Sequence, residues 1–167
     1  MTETQLTGIG TLEAEIARTL EALGKIESFY ENYSAAMLSD RSDPRNAIAL
    51  SEILTSYYTC LETLFFRISS FFENNLSKER WHAQLLKNMT LRINGVRERV
   101  ISEGTYSSMD ELRRFRHFKR YYFDFSYDWD RLDFLLKKFT ELRTGLRKDM
   151  GLFSAFLEEL KTRLSGE

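Results

Sequence analysis

The sequence has few of the residues that build turns and cross-links, and each scarcity excludes a class of protein. It contains 1 proline and 8 glycines in 167 residues, whereas sandwiches and barrels need turns rich in both about every ten residues. We therefore expect long helices joined by few turns. The single cysteine, Cys60, excludes an internal disulfide framework and a cysteine-based zinc site. It fits a reducing cytoplasm, which is where we expect the protein to act.

A charge excess of one sign and long apolar runs are also missing. Lys and Arg number 24 against 25 Asp and Glu, a formal net charge of -1. No overall field therefore attracts nucleic acid or an anionic membrane, and any such contact depends on a local patch. The N-terminal segment is acidic and lacks the apolar core of a signal peptide. Apolar runs are only a few residues long, against about 20 for a membrane-spanning helix, so we expect no membrane partner.

Apolar and aromatic residues are plentiful. They make up 43% and 14% of the chain, which excludes a disordered chain and supplies the material for a core. The length fits one domain. We expect a disordered or frayed lead over residues 1–10 and a single helical bundle over residues 11–165.

Apolar residues recur at steps of three and four, the helical period, along most of this bundle. The pattern predicts helices over about 12–37, 44–75, 79–93, 109–123 and 129–160. Asp43 and Asp128 are predicted N-caps, and Ser108 with Glu111 makes a capping box. Gly151 is expected to kink or break the last helix. Because the second helix would be roughly 45 Å long, it needs partners of similar length. The fold class predicted is all-α, a four- to five-helix up-and-down bundle.

A dense cluster of cations occupies residues 113–120, with the sequence RRFRHFKR. At 100° per residue, Arg113, Arg116, His117 and Arg120 share one helix face. Like charges at these spacings repel, so the face needs either neighbouring carboxylates or a bound anion. The phosphates of RNA or of a nucleotide are the natural anions, because guanidinium binds them bidentately. A solvated or internally salt-bridged basic face is the alternative.

The two histidines, His82 and His117, fall in different predicted helices. Neither has the spacing of a metal-binding pair, and no glycine-rich phosphate loop occurs, so we expect no metal and no cofactor. His82 follows Trp81 and is expected to pack and to form hydrogen bonds. His117 stands among cations, which favour the neutral imidazole that a general base requires. The alternative for His117 is a capping or packing role.

Three stretches between residues 57 and about 139 are similar to a known family. They are YYTCLETLFFRIS, WHAQLL and LRRFRHFKRYYFDFSYDWDRL. The chain resembles the HepT-like branch of the HEPN superfamily, helical proteins encoded beside minimal nucleotidyltransferases in prokaryotes. The resemblance implies a helical bundle that forms a two-fold homodimer and pairs with a minimal nucleotidyltransferase, as the substrate-binding subunit or the toxin-type component of a toxin–antitoxin pair. It assigns Glu62, Trp81 and His82 to a supporting second motif.

The resemblance also implies a metal-independent ribonuclease site. In the superfamily an arginine holds the scissile phosphate, a polar residue follows it, and a later histidine transfers protons. Arg116 and His117 match the first two residues, and Arg120 matches a further family cation. The expected histidine falls at Tyr121, and the tyrosine that a nucleotidyltransferase can modify with AMP falls at Phe123.

Those two departures indicate a degenerate site. A phenol is a poor base at neutral pH, and phenylalanine has no hydroxyl to accept AMP. We therefore expect a protein that binds RNA or nucleotide phosphates through Arg113, Arg116 and Arg120 and cleaves RNA weakly or not at all. Two alternatives remain: a working ribonuclease that uses His117 with Arg116 and Arg120, and a structural bundle whose cations are paired internally.

Overall fold

The computed structural model describes residues 2–73 and 81–166, without the side chains of Thr2 and Trp81. The described residues form five helices: α1 (Thr2–Ser39), α2 (Pro44–Phe72), α3 (Trp81–Asn88), α4 (Glu103–Arg120) and α5 (Trp129–Ser165). Extended pairing in this part of the chain is limited to one isolated bridge between Ile93 and Arg97. The all-α prediction is therefore confirmed. None of the helices described combines the length and the apolar character that crossing a membrane requires.

Consecutive long helices run in opposite directions. Gly8 and Glu27 of α1 contact Phe71 and Tyr57 of α2, respectively. Ser102 and Ser108, near the start of α4, bind Asp149 and Glu141 of α5, respectively. Helices α2 and α5 lie in contact, and α1 and α4 pack on opposite sides of that pair. The short helix α3 packs against α2 and α4. The four long helices form the up-and-down bundle that the sequence predicted.

The core lies between α2 and α5 and is rich in aromatic rings. The largest fully buried side chains include Tyr57, Phe65, Phe115, Phe139 and Phe153. The rings of Tyr57 and Phe139 meet edge to face, with centroids 4.9 Å apart. Because each buried side chain of this size contributes about 1.5–3 kcal/mol, packing and not helix propensity stabilises the bundle.

Two predicted N-caps are confirmed. The Asp43 carboxylate accepts a hydrogen bond from the Arg45 backbone N–H at 2.9 Å, and Asp128 accepts one from the Asp130 N–H at 2.9 Å. The predicted break at Gly151 is wrong, because α5 continues through it. Glycine costs about 1 kcal/mol in a helix, and burial of the neighbouring Met150 and Phe153 offsets that cost.

The expected frayed lead is also wrong for the residues described, since α1 begins at Thr2. Ile9 is buried in the core. Gly8 permits the approach of α2, because a Cβ atom there would lie 2.8 Å from Cε2 of Phe71. The first turns of α1 are therefore held to the bundle at Gly8 and Ile9.

Helix α4 begins earlier than predicted, with Ser102 as its N-cap instead of Ser108. Asp149 of α5 accepts hydrogen bonds from the Ser102 N–H and hydroxyl, both at 2.9 Å, and from the Thr105 hydroxyl at 2.5 Å. This carboxylate orders the segment that the sequence predicted as a loop. The helix ends at Arg120, short of the predicted Phe123.

Helix α3 is shorter than predicted and ends at Asn88. Residues 89–101 form a loop, in which Gly95 adopts a φ of 75°. The buried Arg97 side chain binds Glu73 and the backbone carbonyls of Asn88, Leu91 and Glu98. The predicted start of the third helix near residue 79 and the predicted end of the second near 75 lie outside the described residues.

Candidate functional site

A polar groove of about 620 Å³ lies between α2 and α4. It is lined by acidic and hydroxyl side chains of α2 and by cations of α4: Glu52, Thr55, Ser56, Thr59, Arg116, Lys119 and Arg120. The spacings of three and four residues put each set on one face of its helix. The groove therefore combines positive charge with hydroxyl groups, a combination suited to an oxyanion. We call it the polar groove.

Three of the five Lys and Arg residues in the cluster have carboxylate partners. The Nε atom of Arg113 lies 2.7 Å from Asp110, and Arg114 binds the same carboxylate at 2.9 Å. The Nζ atom of Lys119 lies 2.5 Å from Glu52. Internal pairing therefore accounts for these three cations. Arg113, which the sequence placed on the phosphate-binding face, is held by Asp110 and does not line the groove.

Arg116 and Arg120 differ from their neighbours. Neither has a carboxylate within ion-pair distance in the described part of the chain, and both line the polar groove. The Nε atom of Arg116 donates a hydrogen bond to the Thr59 hydroxyl at 3.2 Å. Arg120 is exposed. Two guanidinium groups four residues apart repel, and a bound oxyanion between them would offset that repulsion.

Arg116 packs on a hydrogen-bonded cluster that consists of Tyr58, Glu62 and His82. Glu62 accepts a hydrogen bond from the Tyr58 hydroxyl at 2.5 Å, and Nδ1 of His82 lies 2.5 Å from the same oxygen. The Arg116 guanidinium carbon lies 5.8 Å from the centre of the Tyr58 ring. The structure thus brings together Glu62 and His82, the residues of the supporting motif. The Trp81 side chain is not among the parts of the chain that the structure describes.

Tyr58 is the member of this cluster that sequence reasoning missed. Burial and the hydrogen bond to Glu62 raise the pKa of the Tyr58 hydroxyl well above its usual value, so it remains a donor. Its ring is then the fixed surface against which Arg116 lies. Position 58 is four residues before Glu62 on one helix, and this spacing was the available signal.

His117 and Tyr121 lie on the neighbouring row of α4 and do not line the polar groove. Both are exposed, and their rings meet at 5.2 Å between centroids. The expectation from the sequence that His117 shares the face of Arg116 and Arg120 is therefore wrong for the groove itself, since His117 is turned by about 100° from Arg116 and Tyr121 by about 100° from Arg120. Within a single chain, the predicted proton-transfer residues lie outside the groove that Arg116 and Arg120 line.

The groove is suited to binding and poorly suited to proton transfer. Its one carboxylate, Glu52, is hydrogen-bonded to Lys119, which lowers the pKa of Glu52 and makes it a weak base. The other lining groups are hydroxyls and cations, which donate hydrogen bonds. Among the residues described, no three His, Cys, Asp or Glu side chains are grouped so that they could hold a metal ion.

Comparison with known proteins gives one family. A family model described as "HepT-like protein" matches residues 49–157. The match covers more than half of the chain and includes all residues that line the polar groove. No curated protein and no solved structure gives a significant match.

Proposed function

The chain belongs to the HepT-like family, and on that premise we propose that it is a phosphate-binding helical subunit that pairs with a minimal nucleotidyltransferase in the cytoplasm. In this proposal the polar groove binds the phosphates of RNA or of a nucleotide without efficient cleavage. The observation that carries it is that Arg116 and Arg120 have no carboxylate partner among the residues the structure describes and lie beside the hydroxyl groups of α2. A purely structural face would pair these cations as it pairs Arg113 and Lys119.

Replacing Arg116 and Arg120 together with alanine is expected to weaken binding of a short single-stranded RNA by more than about tenfold, because charged hydrogen bonds contribute about 1.5–3 kcal/mol each. The binding should also become less sensitive to salt. Loss of two phosphate contacts lowers the slope of log K against log salt by about 1.4 for a single strand. Fluorescence anisotropy of a labelled RNA over a range of salt concentrations measures both effects.

The matched control for this experiment is the double variant Arg18→Ala, Arg163→Ala. Both arginines are largely exposed, and each pairs with a carboxylate on its own helix. Arg143 is unsuitable as a control, since it is mostly buried and joins α5 to Glu27 and Glu31 of α1. Equal losses in the control and the test variants would indicate non-specific charge attraction and would contradict a site at the polar groove.

The nucleotidyltransferase partner is proposed from the resemblance of the sequence and has its own test. A gene for a minimal nucleotidyltransferase beside the gene for this chain would support the pairing. Co-expression of the two chains, followed by purification through a tag on one, is expected to yield both. Recovery of the tagged chain alone would contradict the proposed pair. It would not affect the phosphate-binding proposal, which the RNA-binding experiment tests separately.

We also expect a homodimer whose interface includes α4 from Arg113 onward and the loop that follows. Tyr121, Phe123 and Phe125 are 65%, 87% and 63% exposed, and a cluster of exposed aromatic side chains is typical of a covered surface. Light scattering at micromolar concentration is expected to give twice the 19.7 kDa chain mass. The Phe123→Asp variant should be monomeric, whereas the Leu152→Asp variant, changed on α5, should remain dimeric. A monomeric wild type would contradict this expectation.

A further inference from the structure

A second groove adjoins the polar groove on the other side of α2. It lies between α1 and α2, has a volume of about 450 Å³, and is lined chiefly by Ile26, Phe29, Ala49 and Ile53. We call it the apolar groove. Phe29 is 48% exposed there. A half-exposed aromatic ring beside a buried isoleucine offers a flat apolar surface to a ligand.

The two grooves share the residues that separate them. Glu52 and Ser56 line both. The Glu52 carboxylate is bound by Lys119 of α4 and by the Ser56 hydroxyl, at 2.5 and 3.1 Å. Ser56 is small, so the ridge between the grooves is low at that point. From Thr59, which binds Arg116, to Ile53 the helix rises about 9 Å, a span comparable with one nucleotide.

We propose that the two grooves form one site for a nucleoside phosphate unit with an unpaired base. The phosphate lies at Arg116 and Arg120, the sugar crosses Ser56, and the base lies against Phe29 and Ile53. This inference rests on the proposed function and names the ligand class of its site. Every nucleobase has a π-face that can stack on an aromatic side chain, so the apolar groove accepts bases with little sequence preference. A duplex is excluded, because its bases are already stacked and paired.

The unit can belong to a free nucleotide or to a single strand, and three probes separate these sources from simple anion binding. The probes are a hexameric oligoadenylate, AMP and inorganic tripolyphosphate, each measured by calorimetry with the full chain. Phe29→Ala is expected to weaken oligoadenylate binding by about tenfold and to leave tripolyphosphate binding unchanged. If the Phe29→Ala variant loses affinity for AMP to the same extent, the site binds free nucleotides as well as single strands. If it loses affinity for oligoadenylate alone, the site binds single strands.

Two further variants sharpen the experiment. Phe134→Ala removes an aromatic ring that is 45% exposed on α5 and does not line the apolar groove. This control is expected to bind all three probes as the wild type does. Ser56→Leu raises the ridge between the grooves and is expected to reproduce the selective loss seen with Phe29→Ala. Phe29 is half-exposed, so its alanine variant should remain folded, which thermal unfolding checks.

Unchanged oligoadenylate binding in both Phe29→Ala and Ser56→Leu would overturn the base-binding inference. A change in the oligomeric mass of Phe29→Ala would also overturn it and assign the apolar groove to a second copy of the chain. These outcomes leave the phosphate proposal in place. If Arg116→Ala leaves tripolyphosphate and oligoadenylate binding unchanged, or if the wild type binds neither, the phosphate site itself is absent and both proposals fail.

Discussion

Replacing Tyr121 with histidine is expected to raise RNA cleavage by about 10²–10⁴-fold over the wild-type chain, the usual contribution of general acid–base catalysis. The change puts an imidazole at the position where the resemblance to HEPN ribonucleases implies a histidine. Tyr121 is exposed at the C-terminal end of α4 and lies outside the polar groove, so the new side chain is expected to act on RNA that extends from Arg116 past this end of the helix. The measurement is cleavage of a single-stranded RNA into one product that ends in a 2′,3′-cyclic phosphate and one that begins with a free 5′-hydroxyl.

Two controls identify the source of any gain. Tyr121→Phe removes the hydroxyl without adding a base and should cleave no faster than the wild type. In an Arg116→Ala background the gain from Tyr121→His should disappear, because a base without a positioned phosphate has nothing to act on. An efficient wild-type nuclease that His117→Ala inactivates would contradict the degenerate site. The proton-transfer residue would then have moved one helical turn along α4.

Replacing Arg97 with alanine is expected to lower the free energy of unfolding by about 3–5 kcal/mol, the usual cost of removing one partner from a buried ion pair. The Arg97 side chain is completely buried and binds the Glu73 carboxylate. It also donates hydrogen bonds to three backbone carbonyls of the loop over residues 89–101 and the end of α3. Alanine would leave the Glu73 carboxylate and the Leu91 and Glu98 carbonyls without this donor, while the Asn88 carbonyl would keep its hydrogen bond from the Leu91 N–H. Equilibrium unfolding in urea measures the loss.

Arg99→Ala is the matched control, since Arg99 is an exposed arginine two positions further along the same loop. Its effect should stay within about 0.5 kcal/mol. Arg97→Lys keeps the charge but has one ammonium group in place of the guanidinium fork, so it should recover only part of the loss. A cost below about 1 kcal/mol for Arg97→Ala would mean that the loop is held by its other contacts.

Some helix boundaries could be predicted from the sequence and others could not. The difference is how far apart along the chain the interacting residues lie. Asp43 and Asp128 cap their helices through bonds to backbone two residues away, so the sequence was sufficient to predict them. Ser102 begins α4 because Asp149, 47 residues later, holds it. No local pattern contains that information. The helical start of the chain likewise depends on the surface that α2 presents to Ile9 and Gly8.

The candidate site likewise has features that are set by residues close together in the sequence. Sequence spacing alone placed Arg116 and Arg120 on one helix face, because the helical period is a local property. The exclusion of Arg113 from the groove also has a local cause, its pairing with Asp110 three residues away, although the sequence alone did not reveal it. Tyr58 was equally within reach of a spacing argument with Glu62.

The sequence by itself determined the helical class, the direction of the chain through the bundle and the family to which it belongs. The hydrophobic period, the helix caps and the short motifs each depend on residues that are close together in the sequence. Only the tertiary structure decided which cations of the cluster have no carboxylate partner among the described residues. Lys119 is neutralised by Glu52, which is 67 residues away, whereas Arg116 meets the hydroxyl of Thr59 and the ring of Tyr58. Charge pairing acts across space over a few ångströms, so the packing of α2 against α4 settles it.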